Sequence, residues 1–185
     1  TITSEYLLLK RWLGSADPAQ EAKAARHLFG LQLADGGWPI YHNGPADVSA
    51  TVKAYFALKL AGMPAADDRM ARARQRVREQ GGITRVNVFT KILLALFGEY
   101  DWRGVPCMPV ELALLPHWLY FSLYSVSYWS RTVIMPLLIL FAYRPVRRMP
   151  EGPLLDDLYL VPKAEADISL PRDPQTFTWR NFFLV

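Results

Sequence analysis

The sequence predicts an all-α fold, and three observations carry that reading. Apolar residues recur at three- and four-residue spacing over most of the chain. Helix punctuation separates these runs: Asp17-Pro18, Asp47 and Asp67-Asp68 stand in front of them, and Gly14, Gly36-Gly37, Gly62 and Gly81-Gly82 behind. No stretch of useful length alternates apolar and polar residues as a half-buried strand would.

The first helix is expected over residues 4–13, with Tyr6, Leu9, Trp12 and Leu13 on one face. Asp17 is a good N-cap and Pro18 a good first helical residue, so a second helix runs from there to about Leu33. A turn-rich loop covers 36–45. Asp47 caps a third helix with Val48, Val52, Tyr55 and Leu58 inward. A fourth starts at Asp67 or Asp68 and reaches Gln80. Residues 87–97 are apolar nearly all round, which predicts a buried helix rather than an amphipathic one. Residues 111–115 form a short helix, while Tyr120 to Tyr124 and Tyr128-Trp129 read as extended or irregular. Residues 131–143 make the last strong helix, kinked by Pro136 or beginning there. Val133 to Phe141 within it suits either packing against other helices or facing a membrane, with packing the preferred reading. Beyond Pro145 the prolines at 150, 153, 162, 171 and 174 predict loop, with a short turn at 156–159. Gln175 to Val185 begins a further helix.

A length of 185 residues allows one domain, and 51% hydrophobic residues suffice for a sizeable core. The net charge of +4 is too mild to argue for nucleic acid. Arg69, Arg72, Arg74, Arg76 and Arg78 read as the wet face of a helix. Arg144, Arg147 and Arg148 follow an apolar run, where basic side chains suit anionic headgroups. The one cysteine, Cys107, excludes an internal disulfide. The longest apolar run, Val133 to Tyr143, is shorter than the about 20 residues a bilayer needs. His27, His42 and His117 lack metal-ligand spacing with one another or with Cys107. No serine-nucleophile elbow and no phosphate-cradling glycine loop occurs. The apolar finish, Phe182-Phe183-Leu184-Val185, and the lack of an initiator Met lead us to expect a piece of a longer polypeptide.

The most informative stretch is Gln32-Leu33-Ala34-Asp35-Gly36-Gly37-Trp38. The glycines admit positive φ at a helix end, the Gln amide can bond a free helix-end backbone group, and the indole can pack over that end. Gln80-Gly81-Gly82 repeats the punctuation near fifty residues later, an interval that holds two helices and two loops and suggests stacked helical hairpins. With Lys23-Ala24, His27-Leu28 and Gln32, the first stretch resembles the QW repeat of triterpene cyclases, departing from it at His27. The segments Pro45 to Lys59, Gly81 to Tyr100, Val105-Pro106, Pro109 to Glu111, Leu115-Pro116 and Ser127-Tyr128-Trp129-Ser130-Arg131-Thr132-Val133 are similar, in order, to squalene–hopene cyclases.

That resemblance implies residues 1–150 as part of an α/α-barrel of helical hairpins, and 151–185 as a Pro-rich linker to the next helix. It implies an enzyme that protonates a linear C30 polyene, squalene, and closes rings through a carbocation cascade to a hopanoid. No metal or cofactor is implied. The implied partners are the polyene, the membrane surface, the remainder of the cyclase and a second copy, with no nucleic acid. The implied location is the cytoplasmic side of the bacterial inner membrane, peripheral and monotopic. Trp129 and Phe89 match the family's aromatic cavity positions, where π faces can stabilise a cation. Glu5 matches an acidic residue of the cavity network, while Gln32, Gly36 and Trp38 are the structural QW motif. Asn87 falls where some relatives carry a basic residue, and Lys53 where some carry a carboxylate. The family's proton donor, Asp-x-Asp-Asp, is absent from these 185 residues, and Asp67-Asp68 and Asp156-Asp157 read as caps or surface charge. The chain alone is therefore expected to be inactive. Two other readings are a prenyltransferase-type α/α-barrel subunit, which would need a zinc set, and a lipid-binding helical domain without catalysis.

Overall fold

The computed structural model describes residues 2–119, 122–150, 152 and 154–169. Among these, six α-helices carry the fold: α1 (Ile2–Trp12), α2 (Pro18–Gly30), α3 (Val48–Leu60), α4 (Asp68–Glu79), α5 (Val88–Leu96) and α6 (Tyr128–Tyr143). Short 3₁₀ turns lie at Ile83–Arg85, Trp102–Gly104, Val110–Leu114, Leu123–Ser125 and Asp156–Leu158. The described chain is all-α, with one isolated bridge, Pro39 to Ala46. None of its helices is long and apolar enough to cross a membrane. The helix expected at 175–185 lies outside the described residues.

The helix starts follow from their caps. Asp17, Asp47 and Asp67 accept backbone N–H bonds from Ala19, Ala50 and Arg69, satisfying donors that have no partner inside the helix. Asn87 does the same for Thr90. Ser127 accepts from Ser130 N, which starts α6 early enough to include Tyr128 and Trp129. Those two residues are helical, not extended as expected, and Pro136 lies inside α6 rather than at its start.

Helix α3 is the centre. Eleven of its thirteen residues are buried, including Lys53. Helices α1, α2 and α4 pack on it. Phe56 meets Phe97, at the end of α5, edge to face with centroids 5.0 Å apart. Cross-links set the helix directions. Asn87 N donates to Ser49 Oγ at the start of α3, and Phe97 reaches Phe56 further along, so α3 and α5 run the same way. Glu5 pairs with Lys53, while Arg147 joins the Trp12 carbonyl to the Leu96 carbonyl at 2.8 Å from its own N–H; α1 shares that direction. Gln80 at the end of α4 reaches back to the Ala46 carbonyl before α3, so α4 runs opposite. Helix α2 also runs back, with Glu21 near its start holding Arg11 near the end of α1.

Two faces differ from expectation. On α1 the packed residues are Ser4, Leu7 and Leu8, while Tyr6, Leu9 and Leu13 are exposed. On α5, Thr90, Ile92, Leu94 and Ala95 are buried but Val88 and Phe89 are not, so the helix has two faces. Both helices are apolar on more sides than the body can cover, and hairpin geometry chooses which side is packed.

Candidate functional site

The QW turn is a hydrogen-bonded joint. Trp38 is 4% exposed, and its indole N–H donates to the Leu28 carbonyl at 2.8 Å, in the last turn of α2. Its backbone N–H donates to Thr51 Oγ1, which donates to the Asp47 carbonyl. The Gln32 amide donates to the Gly36 carbonyl at 2.8 Å and to the Arg69 carbonyl in the first turn of α4 at 2.9 Å, so it ties α2 to the next hairpin. The Arg69 guanidinium lies over the Phe29 ring at 3.9 Å. Gly36 has φ +88°, and any Cβ there would meet the Arg72 backbone at 2.7 Å. The second copy of the punctuation works alike: Gln80 bonds a loop carbonyl, and Ile83, fully buried, follows the glycines where Trp38 follows the first pair. A hollow of about 440 Å³ opens beside Trp38, lined by Ser4, Leu28, Leu31, Ile40 and Tyr41 among others. Phe89 and Trp129 do not line it.

The proposed cavity residues stand elsewhere. Ser49 and Lys53 are one turn apart on α3, so they share a face. Ser49 holds Asn87, the cap of α5, and Lys53 holds Glu5 of α1 at 2.5 Å. This brings Glu5, Asn87 and Phe89 to the end of the molecule where α1, α3 and α5 begin. Phe89 is 65% exposed there, next to Val88, with Ile2 and Tyr6 exposed on α1. Trp129 is 80% exposed in the first turn of α6. It stands about 22 Å along the helix from Arg144 at the other end. No ring pair joins it to Phe89 among the described residues.

Three polar residues with structural weight escaped the sequence reading. Asp157 is not surface charge: its carboxylate accepts from the Tyr55 hydroxyl, lies 3.1 Å from Lys59 Nζ and 3.6 Å from Arg74. Burial, and then Asp157, push the Tyr55 phenol well above its usual range. Glu99 is buried and accepts the backbone N–H groups of Leu154 and Leu155 at 2.9 and 3.1 Å. Burial raises its carboxyl above the usual range, against the lowering pull of those two bonds and of Lys163. Lys59 also donates to the Leu154 carbonyl, and Tyr159 to the Glu99 carbonyl. Leu155, Leu158 and Tyr159 are consequently buried, and residues 154–159 lie against the helical body. Lys53 is the third. A lysine amid Val52, Ala54, Tyr55 and Phe56, all buried, demands a partner, and that was its legible signal. Arg147, expected with Arg144 and Arg148 to suit headgroups, bonds the end of α1 instead.

The sequence matches, over residues 1–185, the family described as the squalene-hopene cyclase N-terminal domain. The chain belongs to this family. It is 46% identical over 184 residues to a squalene–hopene cyclase of Zymomonas mobilis, covering 99% of the chain and 27% of that protein. It is 42% identical over 184 residues to a probable squalene–hopene cyclase of Sinorhizobium fredii, covering 99% and 28%. A dammaradiene synthase of Dryopteris crassirhizoma is 34% identical over 171 residues, covering 92% and 25%. The chain thus spans about a quarter of the length of the curated relatives it matches. The QW turn ties the end of α2 to the start of α4, and Phe89 of α5 and Trp129 of α6 are exposed.

Proposed function

We propose that this chain forms part of the cavity wall of a squalene–hopene-type cyclase, which protonates a linear C30 polyene and closes its rings through successive carbocations. The observation that carries the reading is the exposure of Phe89 and Trp129, each in the first turn of a helix that is anchored further along, α5 by Ile92, Leu94 and Ala95 and α6 by Leu138 and Phe141. Rings held on rigid helices and turned outward suit a wall that another part of a polypeptide closes. There they would stabilise a passing cation by about 0.5–2 kcal/mol each without reacting with it. The helix directions support an α/α arrangement, with α1, α3 and α5 running one way and α2 and α4 the other. Residues 1–150 supply this partial barrel, residues 154–159 fasten to it, and the rest of 151–185 leads toward the remainder of the cyclase.

The acid that starts the cascade lies outside these 185 residues, so the chain by itself is inactive. The complete enzyme works as a peripheral, monotopic dimer on the cytoplasmic face of the inner membrane, where an apolar substrate partitions. The test is the full-length cyclase carrying this chain, incubated with squalene. Cyclised triterpene from the wild type is expected. Trp129→Ala is expected to lower kcat and to release incompletely cyclised products, whereas Trp129→Phe retains most activity. Unchanged rate and products in Trp129→Ala would remove Trp129 from the cavity.

A further inference from the structure

All five cations of α4, Arg69, Arg72, Arg74, Arg76 and Arg78, are arginines. Two pairs among them, Arg72 with Arg76 and Arg74 with Arg78, stand four residues apart, where like charges repel across a helix turn. Helix stability therefore does not account for this run. The pairing is uneven as well. Arg76 takes both Asp35 at 3.2 Å and Glu79 at 3.7 Å. Arg72 is left with the Ala34 carbonyl at 3.4 Å, and Arg78 with the Asp157 carbonyl at 3.3 Å. Arg74 reaches the Asp157 carboxylate only at 3.6 Å, and that carboxylate already accepts from Tyr55 and Lys59. A guanidinium carries five N–H donors, so most donors on these three have no protein acceptor among the described residues. The three line one hollow of about 780 Å³ with Asp35, Gln75 and Glu79. Successive residues turn by about 100° around a helix, which puts Arg72 on one side of Ala71 and Gln75, and Arg74 with Arg78 on the other. The first side meets the QW turn at Ala34; the second meets residues 154–159 at Asp157. The small Ala71 lies between the two walls.

We propose that this hollow is an oxyanion site for a phosphate group, held by Arg72 from the QW side and by Arg74 and Arg78 from the other. A planar guanidinium gives a phosphate two parallel N–H···O bonds, where an ammonium gives only a point charge. Phosphate presents acceptor oxygens in several directions, so arginines on opposite walls reach it together. A carboxylate presents two oxygens in one plane and a single charge, and serves one wall. The bound charge also offsets the repulsion along α4 that Asp35 and Glu79, both turned to Arg76, leave in place. Free phosphate and the headgroup of an anionic lipid offer the same chemistry, and Arg72, Gln75 and Arg78 are exposed to either. The site is independent of the exposed rings of α5 and α6, so its failure would leave the cyclase reading unchanged.

The experiment uses the full-length protein that carries this chain, as wild type and as Arg72→Lys, Arg78→Lys and Arg103→Lys. Each variant keeps the net charge, so it removes a planar fork and not a cation. Arg103, exposed and outside the hollow, is the control. One arm titrates inorganic phosphate and reads the heat of binding. The other sediments vesicles of phosphatidylcholine with and without phosphatidylglycerol. Saturable binding is expected, weakened roughly tenfold in Arg72→Lys and in Arg78→Lys and unchanged in Arg103→Lys. That ranking in the phosphate arm assigns the hollow to a soluble phosphate; the ranking in the phosphatidylglycerol arm alone assigns it to a headgroup. A wild type that binds neither probe overturns the proposal. Equal binding by all four proteins overturns it too, since general charge attraction does not distinguish arginine from lysine. A loss confined to Arg72→Lys or to Arg78→Lys does the same, because the site needs both walls.

Discussion

At residue 37 the absence of a side chain is a packing requirement. A Cβ there would lie 2.4 Å from Ala46 Cβ and 3.3 Å from Thr51 Oγ1, so neither the loop nor α3 has room for it. Gly37→Ala is expected to lower stability by about 2–3 kcal/mol, read from urea unfolding of the chain. Gly30 makes the contrasting case: it is helical, and a Cβ there meets nothing within 4 Å. Gly30→Ala should raise stability by up to about 1 kcal/mol in the same experiment. A loss at Gly30 or a gain at Gly37 would contradict the local geometry. Trp38 acts through its N–H as well as its ring. Trp38→Phe keeps most of the packing but leaves the Leu28 carbonyl without that donor, and about 1–2 kcal/mol of destabilisation is expected from thermal unfolding.

At the scale of elements, the attachment of residues 154–159 to the helices is the feature with a pH signature. Glu99 holds the Leu154 and Leu155 N–H groups, and Lys163, donating to the Gly98 carbonyl, and Asp156 are the other charges that act on it. Burial raises its folded-state pKa above the unfolded value of 4.5. The folded state therefore binds this proton more tightly, and the protonated carboxyl favours folding most below pH 4.5, an advantage lost as pH rises through the raised value. Replacement by a group that does not titrate removes that slope. The expected result is that the stability of Glu99→Gln relative to wild type improves as pH rises from 4.5 toward neutrality, read from unfolding at a series of pH values. A pH-independent difference would show that Glu99 does not titrate in a buried setting. Tyr100, raised to about 12 mainly by burial, stays neutral throughout that range and does not confuse the reading.

For the whole molecule, the open apolar surface is the governing fact. Ile2, Tyr6, Leu9 and Leu13 form a continuous exposed stripe along and just past α1, and Trp129, Val133, Ile139 and Tyr143 are exposed on α6. Surfaces of this kind belong to interfaces or ligand walls. The isolated chain is expected to bind a hydrophobic dye and to self-associate in light scattering, with mild detergent dispersing it. It is also expected to leave squalene unconverted. A monodisperse monomer without dye binding would argue against an open wall, and cyclised product from the chain alone would place an acid within it.

Much of this was legible in the chain's own letters. Caps at Asp17, Asp47 and Asp67 are local: a short polar side chain satisfies the next N–H groups whatever lies beyond, so three helix starts could be read directly, whereas α5 was read from its apolar run and its Asn87 cap came from the structure. The QW turn was legible because its Gln, glycines and Trp38 stand together in the sequence, although the groups they meet, Leu28, Thr51, Arg69 and Arg72, do not. The faces of α1 and α5 were not, because both helices are apolar on several sides and periodicity cannot rank two greasy faces. Nor were the partners of Lys53, Asp157 and Glu99, which lie 48, 98 and 55 residues away and meet only when the helices pack. Short-range hydrogen bonding follows from order along the chain; burial and long-range charge pairing follow from which surfaces meet, and that is a property of the packed body.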